Sequence, residues 1–167
     1  MNCIAAVSEN WGIGRENDLL FHISEDMKLF RRLTTGHTLI LGRRNLESFP
    51  GCRPLPKRRH LVLTTREGWH PEGVEVCHSL AEVLETVRNL PEEDVWVIGG
   101  GIVYREFLPF CREAYITRVE ACPAADTFFP DLSREPGWTL TEEGERQTDG
   151  KLFYRFCTYE NAEPLRF

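Results

Sequence analysis

The 167 residues predict an α/β fold. The expectation is a single domain, 1–167, on a central, mostly parallel (mixed) β-sheet of about eight strands, with an antiparallel C-terminal hairpin and helices on both faces. Three observations predict it. Short apolar runs of strand length alternate with longer amphipathic runs of helical period. The last two strand-like stretches meet at the turn residues Thr148-Asp149-Gly150. No repeat, low-complexity tract or linker interrupts the series.

NCIAAVS reads as a buried strand and is followed by a polar, glycine-containing loop, ENWGIGREND. Ser24 is placed to cap the helix SEDMKLFRRLTT, whose apolar face is Ile23, Met27, Phe30 and Thr34. TLILG is a short strand, RRNLESF a short helix, and PGCRPLPK a proline-rich loop. HLVLTT and VEVCH are strands, and Ser79 opens the helix LAEVLETVRNL. DVWVIGG is a strand feeding the helix GIVYREFL, and AYITRVEA is another strand. WTLTEEGERQ and KLFYRFCTYE form the closing hairpin.

Composition excludes several function classes. A formal net charge of −6 argues against a general binder of nucleic acid or anionic membranes, both of which need a basic surface. No apolar run approaches the roughly 20 residues of a membrane helix, and MNCIAAVSEN is no signal peptide, so a cytoplasmic location is expected. The six cysteines are scattered without metal spacing and read as reduced thiols, several of them buried; the dispersed histidines add no metal site.

Three features carry chemistry. Gly99, Gly100 and Gly101 stand where a strand passes into a helix, offering bare backbone N–H groups at the positive end of a dipole. The spacing is not GxGxxG, because Tyr104 takes the third glycine's place, so a tight turn without a ligand stays open on this feature alone. Between residues 43 and 66, seven basic residues (Arg43, Arg44, Arg53, Lys57, Arg58, Arg59, Arg66) face one acid, Glu47. Strand ends and a rigid RPLP turn divide them, which suggests separate anion contacts rather than one solvated face. Asp26 borders the apolar stripe of its helix. A carboxylate there either suits the helix dipole, as Glu25 does, or pairs with the N–H/NH₂ edge of a heterocycle in an apolar pocket.

In this order CIAAVSENWGIGREND, SEDMKLFRRLT, GRRNLESF, RPLPKR, VWVIGGGIVY, ITRVEA and DTFFPD resemble dihydrofolate reductases of the bacterial chromosomal type over nearly the whole chain. The resemblance implies NADPH-dependent reduction of 7,8-dihydrofolate, with hydride transfer to pterin C6 and protonation of N5, in tetrahydrofolate biosynthesis and one-carbon metabolism. It also implies a monomer, a target of antifolate inhibitors, with no nucleic-acid or membrane partner. Asp26 matches the acid that binds pterin N3 and its 2-amino group, and Thr117 the hydroxyl bonded to that acid. Ile4, Ala5, Met27, Phe30, Phe49, Leu55, Ile98 and Tyr104 match the walls around the pterin and benzoyl rings. Arg58 matches the arginine that grips the α-carboxylate of the glutamate tail, with Arg31 and Arg53 nearby.

For the cofactor, the resemblance places Arg43, Arg44, Thr64, Thr65 and Arg66 on the adenosine 2′-phosphate. Gly99, Gly100 and Gly101 would pass under the pyrophosphate, with a cis peptide between the first two. Ala6, Ile13, Gly14, Asn17, Asp18 and Leu19 would cover the nicotinamide. Gly42, Asn45, Leu63, Ile98, Ile102, Val103, Tyr104 and Thr127 complete the cofactor set. The chain departs from the family's usual Pro-Trp at Leu20-Phe21, so Phe21 is expected to alter the proton step, and lower trimethoprim affinity is an accompanying expectation. Asn45 replaces a threonine and Leu46 an aromatic residue. Two other readings remain: a related-fold reductase of a ribosylamino-pyrimidinone, and a non-catalytic protein that binds NADPH or pterin.

Overall fold

The computed structural model describes residues 1–167. In chain order the strands are β1 (Asn2–Val7), β2 (Gly12–Arg15), β3 (Asp18–Leu19), β4 (Thr38–Gly42), β5 (Arg59–Leu63), β6 (Glu75–Cys77), β7 (Val95–Gly99), β8 (Glu113–Val119), β9 (Thr127–Phe128), β10 (Trp138–Glu143), β11 (Gln147–Thr148) and β12 (Phe153–Asn161). The helices are α1 (Ser24–Thr34), α2 (Arg43–Glu47), α3 (Leu80–Val87) and α4 (Gly101–Phe107).

The main sheet runs β10-β12-β8-β1-β7-β4-β5-β6, with β11 paired to β12. Strands β8 through β6 are parallel, and β12 and β10 add antiparallel edges. The eight-strand mixed sheet with a terminal hairpin agrees with the sequence expectation. Alternation along the inner strands sorts the core into two layers. Cys3, Val7, Ile40, Leu61, Val95 and Val97 point to one face, which Val83 and Val87 of α3 and Val103 and Phe107 of α4 cover. Ile4, Leu39, Leu41, Val62, Trp96 and Ile98 point to the other, which Phe30 and Leu33 of α1 and Leu46 of α2 cover.

Two local expectations change. Ser24 does not cap α1: the carbonyl of Ile23 accepts the first helical bond, from Met27 N at 3.0 Å. Ile23, 1% exposed, anchors that end in the core, which leaves Ser24 in the first turn facing solvent. Ser79 does cap α3, accepting from Glu82 N at 3.1 Å, while Glu82 Oε2 accepts from His78 N at 2.7 Å.

The second change is a small sheet, β3-β2-β9, in the stretch read as loop and around Thr127. Gly14 pairs with Leu19 on one side and Thr127 on the other. Asp126 Oδ2 accepts from Glu16 N at 2.9 Å and Asp126 N donates to Gly14 O at 3.0 Å. All six cysteines are free; Cys3, Cys77, Cys111 and Cys157 are buried.

Candidate active site

The carboxyl ends of β1, β4, β5 and β7 open onto one cleft of about 1470 Å³. That exceeds the roughly 300–1,000 Å³ of a typical single-ligand pocket, so the cleft has room for two ligands. The strand ends supply Ala5 and Ala6, Gly42, Leu63 and Thr64, and Ile98 and Gly99. In parallel sheets this edge is where ligands bind, because helices start there and loops diverge.

The glycine turn forms part of the cleft wall. Gly99 has φ +119, and a Cβ on it would lie 3.1 Å from the Tyr104 ring and 3.2 Å from Asn45 Nδ2. A Cβ on Gly101 would lie 2.9 Å from Thr127 Cγ2 and 3.1 Å from the carbonyl oxygen of Phe128. Gly100 differs: nothing of the protein lies within 4 Å of that position, so its backbone is bare toward the cleft. The peptide between Gly99 and Gly100 is cis. Asn45 Nδ2 braces the turn by donating to Ile98 O at 3.1 Å. The Tyr104 hydroxyl donates to Ile4 O at 2.6 Å, tying α4 to β1 beneath the cleft.

Asp26 reaches the cleft from the first turn of α1. Thr117, buried on β8, donates to its Oδ1 at 2.6 Å. Burial pushes the carboxyl above its ordinary pKa, and the Thr117 hydrogen bond opposes that shift. One oxygen is thereby engaged and the group faces an apolar wall of Ile4, Phe30, Phe49, Leu55 and Ile98. Met27, on the same helix, is 46% exposed because its part of the apolar face lines the cleft rather than the core. Phe21 also lines the cleft and packs with Ile23, Val119 and Tyr154; its ring offers no hydrogen-bond donor.

The far end of the cleft is polar and basic. Arg43, Arg44, Asn45, Thr64 and Thr65 line it. Arg43 is ion-paired with Glu47, one turn along α2, whereas Arg44 is exposed. His78, Ser79 and Leu80 close this end; His78 Nδ1 lies 2.8 Å from Thr64 O. Bare amides at the glycine turn with arginines and threonines beyond them fit the phosphates of a dinucleotide phosphate cofactor.

A family profile described as dihydrofolate reductase matches residues 1–161. The chain belongs to the dihydrofolate reductase family. It is 36% identical over 167 residues to the dihydrofolate reductase HdrB of Haloferax volcanii, covering 96% of this chain and 83% of that one. It is 35% identical over 159 residues to the dihydrofolate reductase of Bacillus subtilis, covering 94% and 92%. A dihydrofolate reductase from Enterococcus faecalis, solved with NADP(H) and RAB-propyl, superposes with a TM-score of 0.83 at 34% identity, covering 97% of this chain and 96% of that one.

Within this dihydrofolate reductase fold, most residues singled out from sequence converge on the cleft, and five do not form its wall. Thr117 acts behind Asp26. Arg58 sits beside Phe30, its guanidinium 6.0 Å from the ring centroid, donating to Pro56 O at 3.0 Å and Thr34 Oγ1 at 3.1 Å. Arg31 and Arg53 are exposed outside the wall, and so is Arg66, whose backbone N donates to Thr64 Oγ1 at 3.1 Å. Arg59, part of the basic run, is spent on Glu75 at 2.8 Å. The sequence reading missed, among others, His22, His78, Ser79, Leu80, Asp126 and Phe128 in the wall. Ser79 alone had a signal, its capping position.

Proposed function

We propose that this chain catalyses the NADPH-dependent reduction of 7,8-dihydrofolate to 5,6,7,8-tetrahydrofolate, as one domain acting as a cytoplasmic monomer. The observation that carries the reading is Asp26: a carboxylate held by Thr117 at 2.6 Å in the apolar half of a two-ligand cleft. An acid so placed pairs with the flat N3 and 2-amino edge of a pterin.

Asp26 binds and orients that edge, and its negative charge favours the form protonated at N5, the proton coming from water. Ile4, Phe30, Leu55 and Ile98 exclude solvent from the ring, and Ala6, Ile13 and the β2–β3 turn cover the neighbouring half. When bound, NADPH supplies the hydride that C6 receives. Gly99, Gly100 and Gly101 take its pyrophosphate and Arg43, Arg44, Thr64 and Thr65 its 2′-phosphate, while Arg58 takes the substrate's α-carboxylate. Antifolates that carry the same heterocyclic edge occupy the Asp26 half.

No feature of the site favours the pyrimidinone reductase reading, which needs neither Asp26 nor Arg58 in these places. Adding dihydrofolate to the protein with NADPH and following NADPH oxidation tests the assignment. Turnover supports it; binding of both ligands without oxidation would leave the non-catalytic reading.

A further inference from the structure

His60, at the start of β5, is buried beneath the loop that carries Leu55 and Arg58. Its Nε2 accepts a hydrogen bond from Leu55 N at 3.0 Å, and its Nδ1 lies 3.0 Å from Arg58 O. A carbonyl oxygen only accepts, so Nδ1 carries the hydrogen; an N–H only donates, so Nε2 is bare. The two contacts together define a neutral ring in one tautomer. They also span the turn Leu55-Pro56-Lys57-Arg58, joining its first amide to its last carbonyl. Leu55 lines the cleft, and Arg58 is aimed by Pro56 O and Thr34 Oγ1.

We propose that His60 is a positioning residue for the substrate's carboxylate tail, its neutral ring fixing the turn that presents Leu55 and Arg58. The proposal rests on the dihydrofolate reading of Arg58. A second proton on Nε2 would set one donor against another at Leu55 N and release that end of the turn. Burial, and then the Arg58 charge, hold the ring below its ordinary pKa, so the clamp persists at neutral pH and fails on acidification. Arg58 is the charge that acts on the ring; Arg59 and Glu75 on β5 and β6 are paired with each other, and β4 sets Leu39 in register beside it.

The test compares dihydrofolate with 6-methyl-7,8-dihydropterin, which has no tail, between pH 5 and 8. His60→Ala is expected to raise KM for dihydrofolate about tenfold, the scale of one or two lost hydrogen bonds. Its kcat, its KM for the tail-less pterin and its NADPH affinity stay within about twofold. His60→Asn or His60→Gln, which offer an acceptor and a donor that do not titrate, restore KM and abolish the extra rise that the wild type shows at low pH for the tailed substrate alone. Equal losses with both substrates, or no loss with either, would overturn the proposal. Should His60→Ala not fold, an amide variant whose tail-specific KM still climbs at low pH as the wild type's does would overturn it too. Wild-type protein inert toward both substrates would instead sink the dihydrofolate reading itself, and this assignment with it.

Discussion

Thr117 donates a hydrogen bond to Asp26 at 2.6 Å, joining a strand in the middle of the sheet to the first turn of a helix 91 positions earlier. The hydroxyl holds one carboxylate oxygen still and leaves the other to a ligand. Asp26→Asn keeps an acceptor for Thr117 but removes the charge. Turnover with dihydrofolate should fall by about 10²–10³, the scale of a lost acid–base group. Stability should not fall with it. The folded pKa lies above the unfolded one, so the ionised group opposes folding once pH exceeds the ordinary aspartate value. A thermal melt at pH 7 should place the variant at or above the wild type.

The same charge sets a pH dependence. Productive complexes need N5 protonated beside an ionised Asp26, so they should become scarcer as pH rises through the pKa of the bound N5, which the carboxylate holds up. The rate of NADPH oxidation should therefore decline toward alkaline pH in one step in the wild type. A profile that kept this step in Asp26→Asn would locate its cause elsewhere.

Phe21 occupies a nearly closed space against Ile23, Val119 and Tyr154. Phe21→Trp adds an indole N–H to the cleft that Asp26 also lines, at the cost of overpacking, which is about 1–3 kcal/mol in a filled core. A lower melting temperature together with a changed rate or pH profile is expected. Unchanged rate and profile would remove Phe21 from the proton step.

The glycines should separate folding from binding. Gly99→Ala places a methyl against the Tyr104 ring and Asn45 in a left-handed backbone, so soluble, folded protein should be reduced. Gly100→Ala meets no protein atom within 4 Å. Its loss should appear as weaker NADPH binding, tenfold or more on the order of 1.4 kcal/mol, in a fluorescence titration with the fold intact by circular dichroism.

Arg44, exposed at the basic end and free of the ion pair that engages Arg43, should govern cofactor choice. Arg44→Ala is expected to weaken NADPH by about tenfold and leave NADH nearly unchanged. Equal losses for both cofactors would place its contact away from the 2′-phosphate.

What the sequence disclosed follows from the length of each signal. Strands such as TLILG and DVWVIGG are continuous apolar runs, and α3 announces itself through Ser79 and Glu82. The strands β2, β3 and β9 are four, two and two residues long, with Gly12 and Gly14 in the first, and too short for alternation to register. The cleft shows the same divide. Asp26 and the glycines stand at element boundaries where a motif is visible, whereas His78, Leu80 and Phe128 enter the wall only because separate loops converge there. His60 gave no sign, since its role lies in two backbone contacts that no spacing encodes.

The small sheet has a consequence for timing. The turn over the cleft is fastened to the residues before β9 by few links, among them Glu16 N to Asp126 Oδ2 and Asp126 N to Gly14 O. Such links exchange with water at little net cost, so the turn can detach there without disturbing the eight-stranded body. The hydrogen bond from Glu16 N holds the exposed Asp126 carboxyl below its ordinary pKa, and the fastening is lost only as pH falls through that lowered pKa. The amides of Glu16 and Asp126 should exchange their hydrogens well before those of β1 or β7.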